Sequence, residues 1–501
     1  MKISYTLVVY ILIAALSAFR IFYIIGGFYA LAPDETYFWE WSRHLDWSYY
    51  DMGPMVAYII AFTTKIFGAT ELGVRLGAVI LSAGVSLAIF YLAREMFGSS
   101  KVGLTAVILM NIVPIGATGS IIMTYYSPQV FFWALSLFFI HRAISTGKAV
   151  WWYPLGISLG LGLLSHHLFF VLSAQLLLYL VLSQEGRPWL RRREPYLAAI
   201  IALDMFLPVL LWNIEHEMVM FRHATGLMGR DRSVLLVFSE FLGGQLGVVS
   251  PLMFLASIYA MILSAHRGFW KGDDRWLFLF TTSVPVLVFI SCLSFGRRVE
   301  ANWPVSAYVS GLIAVSAIFH LREEKKSWQT WIAAISVVIA LCETSVAHFP
   351  SLLDTFYSLP PRLDTTNRLF GWKELGKRIS EIRKEMPVSF LSSRDYGISS
   401  EIAFYTEGQP HTYCLTVGRK RNQYDLFEDI NALKGRDSIY VKFGPAQLEP
   451  KVQSLFESVS PPEDLVIYKQ GRSPTVIRRV FTIFRLYGFK GIPRGEELNT
   501  Y

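Results

Sequence analysis

The sequence predicts a polytopic α-helical membrane protein with a C-terminal extracytoplasmic α/β domain, and three observations carry that expectation. Only 17% of the 501 residues are charged, against about 25% in soluble domains. Hydrophobic residues make up 53% of the chain, and mean hydropathy is +0.40. Apolar runs recur at the length of about 20 residues that a helix needs to cross a ~30 Å hydrocarbon core, and about eleven of them can be counted.

The first run, Tyr5 to about Tyr23, reads as a retained helix, because no small-residue cleavage site followed by a soluble domain comes after it. Further spans begin near Val74, Val102, Pro128, Tyr153, Leu168, Tyr196, Gly247, Leu277, Trp303 and Trp328, and the last ends near Ala347. Lysine and arginine gather in alternate short loops: Arg94 and Lys101; Arg142 and Lys148; Arg187 and Arg191 to Arg193; Arg267, Lys271 and Arg275; Arg322, Lys325 and Lys326. That bias places the N-terminus in the cytoplasm and the irregular segments 27–72, 214–245 and 294–302 on the opposite side of the cytoplasmic (inner) membrane. An odd number of crossings puts everything after Phe349 outside, in the periplasm.

From Pro350 the texture changes to mixed charge, with strand-like runs at Pro387 to Leu391 and Ser438 to Val441 and a helical stretch at Trp372 to Glu385. Two domains are expected, a transmembrane one at 1–347 and a soluble α/β one at 348–501, with Ser358 to Arg362 as a Pro-rich linker. The net charge of +8 is topological in such a chain, which argues against a nucleic-acid partner. Cys292, Cys342 and Cys414 lie too far apart in sequence for a CxxC or Cys/His spacing, so neither a disulfide framework nor a structural zinc site is expected.

Chemistry is expected in the first outer loop, Asp34-Glu35-Thr36-Tyr37-Phe38-Trp39-Glu40-Trp41-Ser42 followed by Tyr49-Tyr50-Asp51-Met52-Gly53-Pro54. Pro33 stops the preceding chain, and Asp34 with Glu35 begins a helix, since carboxylates suit its positive end. Phe38, Trp41 and Leu45 recur at helical spacing, which suits a helix lying along the membrane surface. Capping with an interfacial aromatic face accounts for that pattern without any catalysis.

The same residues resemble the first outer loop of bacterial GT-C glycosyltransferases, the relatives of dolichyl-phosphate-mannose protein mannosyltransferases and of the aminoarabinose transferase that modifies lipid A. Thr124-Tyr125-Tyr126-Ser127-Pro128, Gly160 to His167, Trp212-Asn213 and Asn302-Trp303-Pro304 follow in family order. The resemblance implies a GT-C type fold and transfer of a sugar from a polyprenyl-phosphate donor to a hydroxyl acceptor on a lipid (lipid A or another glycolipid), glycan or protein, with inversion at the anomeric carbon. Membrane lipids are the remaining partners.

Under that resemblance Asp34 matches the catalytic aspartate. It would take the proton of an acceptor hydroxyl, with Glu35 and Asp51 orienting acceptor or base. Donor-phosphate contacts are expected from Arg297, Arg298, His166, His167, Arg222 and Arg230, with His223 and Arg232 in the same long loop. Sugar or acceptor contacts are expected from Tyr37, Tyr50, Tyr125, Tyr126, Glu240, Asn302 and Trp303. Two positions depart from the family. His166 replaces a lysine, which makes a phosphate contact weaker or pH-dependent, and Tyr126 replaces an aspartate. No cofactor is demanded, although Asp34, Glu35 and Asp51 could hold a hard divalent cation.

Asp204 falls mid-span, where an ionised carboxylate costs about 2.5 to 3.5 kcal/mol, so a structural polar partner is expected. Arg20 is placed to snorkel. A transporter or flippase would use such charges and would show paired broken helices and internal symmetry, neither of which the sequence displays. A non-catalytic scaffold for envelope assembly would make the first loop ornamental.

Overall fold

A computed structural model describes residues 4–226, 233–296, 298–321, 327–349, 365–415, 421–427, 429–468 and 477–492. The membrane half begins with α1 (Tyr5–Ile25). The first loop then holds two helices, α2 (Pro33–Arg43) and α3 (Met55–Phe67). There follow α4 (Glu71–Phe97), α5 (Ser100–Ile112), α6 (Pro114–Thr118), α7 (Tyr126–Thr146), α8 (Trp152–Leu163), α9 (Phe169–Leu182), α10 (Glu194–Glu215) and α11 (Val219–Gly226). The half closes with α12 (Val234–Val249), α13 (Pro251–Ala265), α14 (Asp274–Thr281), α15 (Val284–Leu293), α16 (Val305–Leu321) and α17 (Ser327–His348).

Each expected span falls on one of these helices or on a pair of them. Among the described residues, six stretches are long and apolar enough to cross a membrane: Tyr5–Ile25, Glu71–Phe97, Glu194–Glu215, Pro251–Trp270, Asp274–Leu293 and Ser327–His348. The span expected from Val102 breaks at Val113, between α5 and α6, and two later spans are interrupted as well. Ser250, at a φ of +76°, separates α12 from α13, and Thr282 with Ser283 separates α14 from α15. Pro251 and Pro285 open the second helix of each pair, where a missing N–H costs nothing.

Three expectations are corrected by packing. Arg20 does not snorkel. It is buried and donates to Ser82 Oγ at 3.1 Å and Asn111 Oδ1 at 2.6 Å, because its face of α1 is covered by α4 and α5. Asp204 is exposed on the outer face of α10 beside Leu203, not enclosed by a structural partner. Helix α2 does not lie open on the membrane surface. Phe38 and Trp41 are buried and only Leu45 is exposed, because Ala403, Phe404 and Tyr424 of the C-terminal half complete their apolar cluster.

That C-terminal half contains α18 (Trp372–Glu385), β1 (Phe390–Ser393), α19 (Tyr396–Tyr405), β2 (Thr412–Cys414), β3 (Ser438–Phe443), α20 (Pro450–Gln453), β4 (Phe456–Val459), β5 (Glu463–Tyr468) and β6 (Ile477–Phe489). The sheet runs β2-β1-β3-β6-β4, parallel across β2, β1 and β3 and antiparallel onto β6, whose far edge also takes β5. Leu375, Ile379, Ile382, Ile398 and Ile402 seat α18 and α19 on one face of the sheet. Val452 and Leu455 close the other. The segment 358–362, expected as a linker, lies outside the described residues.

Helix α19 then lies on α2 at close range. A Cβ at Gly397 would stand 2.8 Å from Pro33 Cβ, so glycine is what lets the start of α19 reach the start of α2. Thr36 Oγ1 and Ser400 Oγ meet at 2.9 Å across the same contact.

Candidate active site

Pro33 at the first helical position and two acidic residues after it start α2, as the sequence requires. The two carboxylates then diverge. Glu35 turns back to cap the helix, accepting the Ala32 N–H at 2.8 Å. Its oxygens also take both arms of Arg75, at 2.9 and 2.7 Å, and the Met123 N–H at 3.0 Å. Arg75 in turn donates to the carbonyls of Tyr29 and Ala30. Glu35 is fully buried in this network, so its oxygens face the protein frame and not an incoming ligand.

Asp34, one residue earlier, faces the other way and stays partly accessible. Its Oδ1 accepts the Tyr396 hydroxyl at 3.1 Å. Burial pushes the Asp34 carboxyl above its ordinary range. The charge of Arg368 and the Tyr396 hydrogen bond pull it down, while Glu35 and Asp395 push it up.

Asp51 stands close enough to feel the charge of Asp34, and burial likewise raises it, against the pull of His223 and of a hydrogen bond from Tyr37. His223 Nε2 lies 3.2 Å from Asp51 Oδ1, and 23% of the Asp51 side chain remains exposed, so a ligand can reach it. Tyr37 also accepts the Gln423 N–H at 2.7 Å, and its ring lies 4.4 Å from that of Tyr396. Each aspartate thus has its own tyrosine donor, and the two tyrosines stand against each other.

Backbone contacts hold the Asp51 loop in place. A Cβ at Gly53 would lie 2.2 Å from Leu164 O, so only glycine brings this loop against the Leu164–His167 turn. Trp212 Nε1 donates to Asp46 at 2.8 Å, and Asn213 Nδ2 to Ser48 Oγ at 3.3 Å, which gives the Trp-Asn pair of α10 a positioning role. Tyr50, buried, packs its ring 5.1 Å from His223 and donates its N–H to Gln423 Oε1.

Along the same wall His166 Nδ1 accepts the Leu168 N–H at 2.9 Å, which requires an unprotonated Nδ1 and hence a neutral ring. Burial and the adjacent His167 hold His166 well below the ordinary histidine range. The position therefore offers an Nε2–H donor where a lysine would offer a charge. Tyr125 and Tyr126, partly accessible, join hydroxyls at 3.2 Å, and Tyr125 stands 5.2 Å from His166.

Asn302 and Trp303, partly buried, lie on the turn that carries Glu300, whose charge acts on Tyr125 and Tyr126. Other expected residues stand at the surface. Arg298 pairs with Glu300 at 3.5 Å, Arg222 with Glu217 at 3.6 Å, and Glu240 is exposed on α12. Arg230, Arg232 and Arg297 lie outside the described residues. Among the described residues, no three His, Cys, Asp or Glu side chains cluster as metal ligands. With Glu35 committed to Arg75, the oxygens of Asp34, Glu35 and Asp51 do not converge on one point.

Sequence reasoning missed Tyr396, Arg368, Gln423 and Arg75. Arg75 follows the loop closely, 40 positions after Glu35, whereas Tyr396, Arg368 and Gln423 are ordinary residues far from it in sequence, and only Gly397 directly after Tyr396, the residue that permits close approach, is a local sign of their contact.

The helical membrane half with the sheet domain set over its first loop makes up an ArnT-like fold. The resemblance drawn from the sequence holds: residues 51–212 match the family described as dolichyl-phosphate-mannose-protein mannosyltransferase, a range that includes Asp51, Tyr125 and His166 but not Asp34. Lipid A galacturonosyltransferase RgtD of Rhizobium johnstonii is 28% identical over 300 residues, which cover 58% of this chain and 61% of that relative. The structure of ArnT from Cupriavidus metallidurans in the apo state superposes with a TM-score of 0.64 at 14% identity, covering 96% of this chain and 98% of that one. The same protein bound to undecaprenyl phosphate superposes at 0.63, also at 14% identity, covering 94% and 97%.

Proposed function

We propose that this chain is a polyprenyl-phosphate-sugar-dependent glycosyltransferase that modifies lipid A on the outer face of the cytoplasmic membrane, with inversion at the anomeric carbon. The observation that carries the reading is that Asp34 and Asp51, both partly accessible, each hold a tyrosine donor of their own, with Asp51 within electrostatic reach of Asp34. The acceptor and donor classes are taken from the relatives: one is named for lipid A, and another was captured with undecaprenyl phosphate.

An alcohol has a pKa far above 7, so it becomes a nucleophile only as its proton leaves. Asp34 takes that proton while the acceptor oxygen bonds to C1 of the sugar and the C1–O bond to phosphate breaks. The electron pair departs with the polyprenyl phosphate, whose growing charge is met by Arg368 and the imidazoles of His166 and His167. Attack opposite to departure inverts C1. Asp51, held by His223 and Tyr37, orients the acceptor. A carboxyl raised by burial is the stronger base for this work once ionised.

Mass spectrometry of envelope lipids from cells with and without the gene tests the proposal. The expected result is loss of a hexuronic acid or other sugar increment from lipid A in the deletion. Its return is expected with the wild-type chain but not with Asp34→Asn. Unchanged lipids and glycans in the deletion, or full restoration by Asp34→Asn, would overturn it.

A further inference from the structure

A second hollow lies on the other side of α2. It is an open depression of about 450 Å³ between α2, α3 and the turn at Gly408 and Gln409, and Trp39, Arg43, Thr64 and Lys65 line it. Arg43 is nine residues beyond Asp34, which is two and a half helical turns, so it points to the opposite face about 13 Å along the axis. The hollow is therefore separate from the aspartate pair.

Its walls are cationic. The Arg43 guanidinium sits 4.8 Å from the centre of the Trp39 ring, donates to Glu40 Oε1 at 2.8 Å and to Gln409 O at 3.1 Å, and is thus fixed in place. Glu40 offsets that charge. Lys65 is exposed, and among the described residues it has no ion-pair partner, so the hollow keeps one positive charge uncompensated.

Next to Lys65 the surface is apolar. Val56, Ile60 and Thr63 turn one face of α3 into the protein, while Phe62 and Ile66, one helical turn apart, are 65% and 57% exposed on the other, and Phe67 extends that face. In a membrane protein such a face lies in the acyl region, and a lysine beside it extends its ammonium to the headgroup level. A free anion would use the cations and leave the apolar face idle, whereas a lipid with a phosphate uses both.

We propose that this hollow binds the phosphate of an anionic membrane lipid, with the acyl chains lying on the Phe62 and Ile66 face of α3. The proposal does not depend on which sugar or acceptor the aspartate pair serves.

Native mass spectrometry of the purified full-length chain tests it, using nanodiscs of phosphatidylglycerol or of phosphatidylcholine. One equivalent of phosphatidylglycerol should survive delipidation, and phosphatidylcholine should not. Lys65→Gln should weaken that retention about fivefold, the worth of one basic residue at an anionic surface. Lys65→Arg should restore it, and millimolar inorganic phosphate should not displace the lipid. Equal retention in wild type and Lys65→Gln, equal retention of both lipids, or displacement by inorganic phosphate alone would each overturn the assignment. Lys65 is on the surface, so the variant is expected to fold, and an unchanged thermal midpoint verifies it.

Discussion

Tyr396 in α19 donates its hydroxyl to Asp34 Oδ1 at 3.1 Å, so the sheet domain completes the surroundings of a carboxylate carried by the membrane half. A donor to a carboxylate favours the charged form. Removing it in Tyr396→Phe raises the Asp34 pKa, so the acid limb of the pH–rate profile moves to higher pH. On that limb kcat should fall about tenfold, matching the loss of ~1.5 kcal/mol for a hydrogen bond to a charged group. At alkaline pH the variant should approach wild type, and KM for the lipid-linked donor should not change. A profile scaled down equally at all pH values would make Tyr396 a structural residue only.

Asp34→Asn tests the base itself. The amide keeps the shape and accepts the Tyr396 hydrogen bond but cannot take a proton. Sugar transfer should therefore drop by about 10² to 10⁴, with donor binding retained. In the wild type the acid limb should lie above the ordinary aspartate value of 3.8, because burial dominates the balance at Asp34. Transfer within a few-fold of wild type in the Asn variant would remove Asp34 from the chemistry.

Much of the fold was legible because membrane insertion writes itself into composition. The runs beginning near Val74, Pro128 and Tyr196 fall on α4, α7 and α10, since a helix crossing lipid must be apolar over its whole length. The interruptions at Ser250 and Ser283 were not legible, because a polar turn covered by neighbouring helices leaves an apolar average unchanged. Pro33, Asp34 and Glu35 announced the start of α2 through capping chemistry alone. The different fates of the two acids were not announced, since Arg75 lies in the next long helix and Tyr396 comes from the C-terminal half, and no local pattern says which acid meets which. The aromatic spacing of α2 fits a membrane face and a protein face equally, and only the C-terminal half, folded over it, decides between them.

Glu35 provides a prediction with the opposite character. It and Arg75 form a buried ion pair with side chains 0% and 3% exposed, tied into the backbone at both ends. Breaking one partner leaves the other charge uncompensated, which costs about 3 to 5 kcal/mol. Glu35→Gln and Arg75→Met should each lower the thermal midpoint clearly, and the double variant should lose less than the sum, because the two share one interaction. Transfer per folded molecule should persist in Glu35→Gln. A normal midpoint with transfer abolished would place Glu35 in the chemistry instead.

Glu401 carries the last prediction, on stability against pH. It lies in α19, fully buried between the sheet and α2, and neither of its carboxylate oxygens has a hydrogen-bond partner. Burial raises it well above the ordinary 4.5. Arg479 and Arg75 pull it down, and Glu35 and Glu71 push it up. Below that ordinary value the carboxyl is protonated in both the folded and the unfolded chain, and its stabilising contribution is fully present. As pH rises further, the unfolded chain releases its proton first, so stability is lost progressively until the folded-state pKa is passed. The slope contributed by this one group is at most about 1.4 kcal/mol per pH unit. Glu401→Gln is neutral throughout and removes that slope. Thermal midpoints of the two proteins should coincide near about pH 4 and diverge towards about pH 9, with the glutamine variant the more stable. Parallel midpoint curves across that range would show that Glu401 is charged in the folded protein and finds its compensation in Arg479.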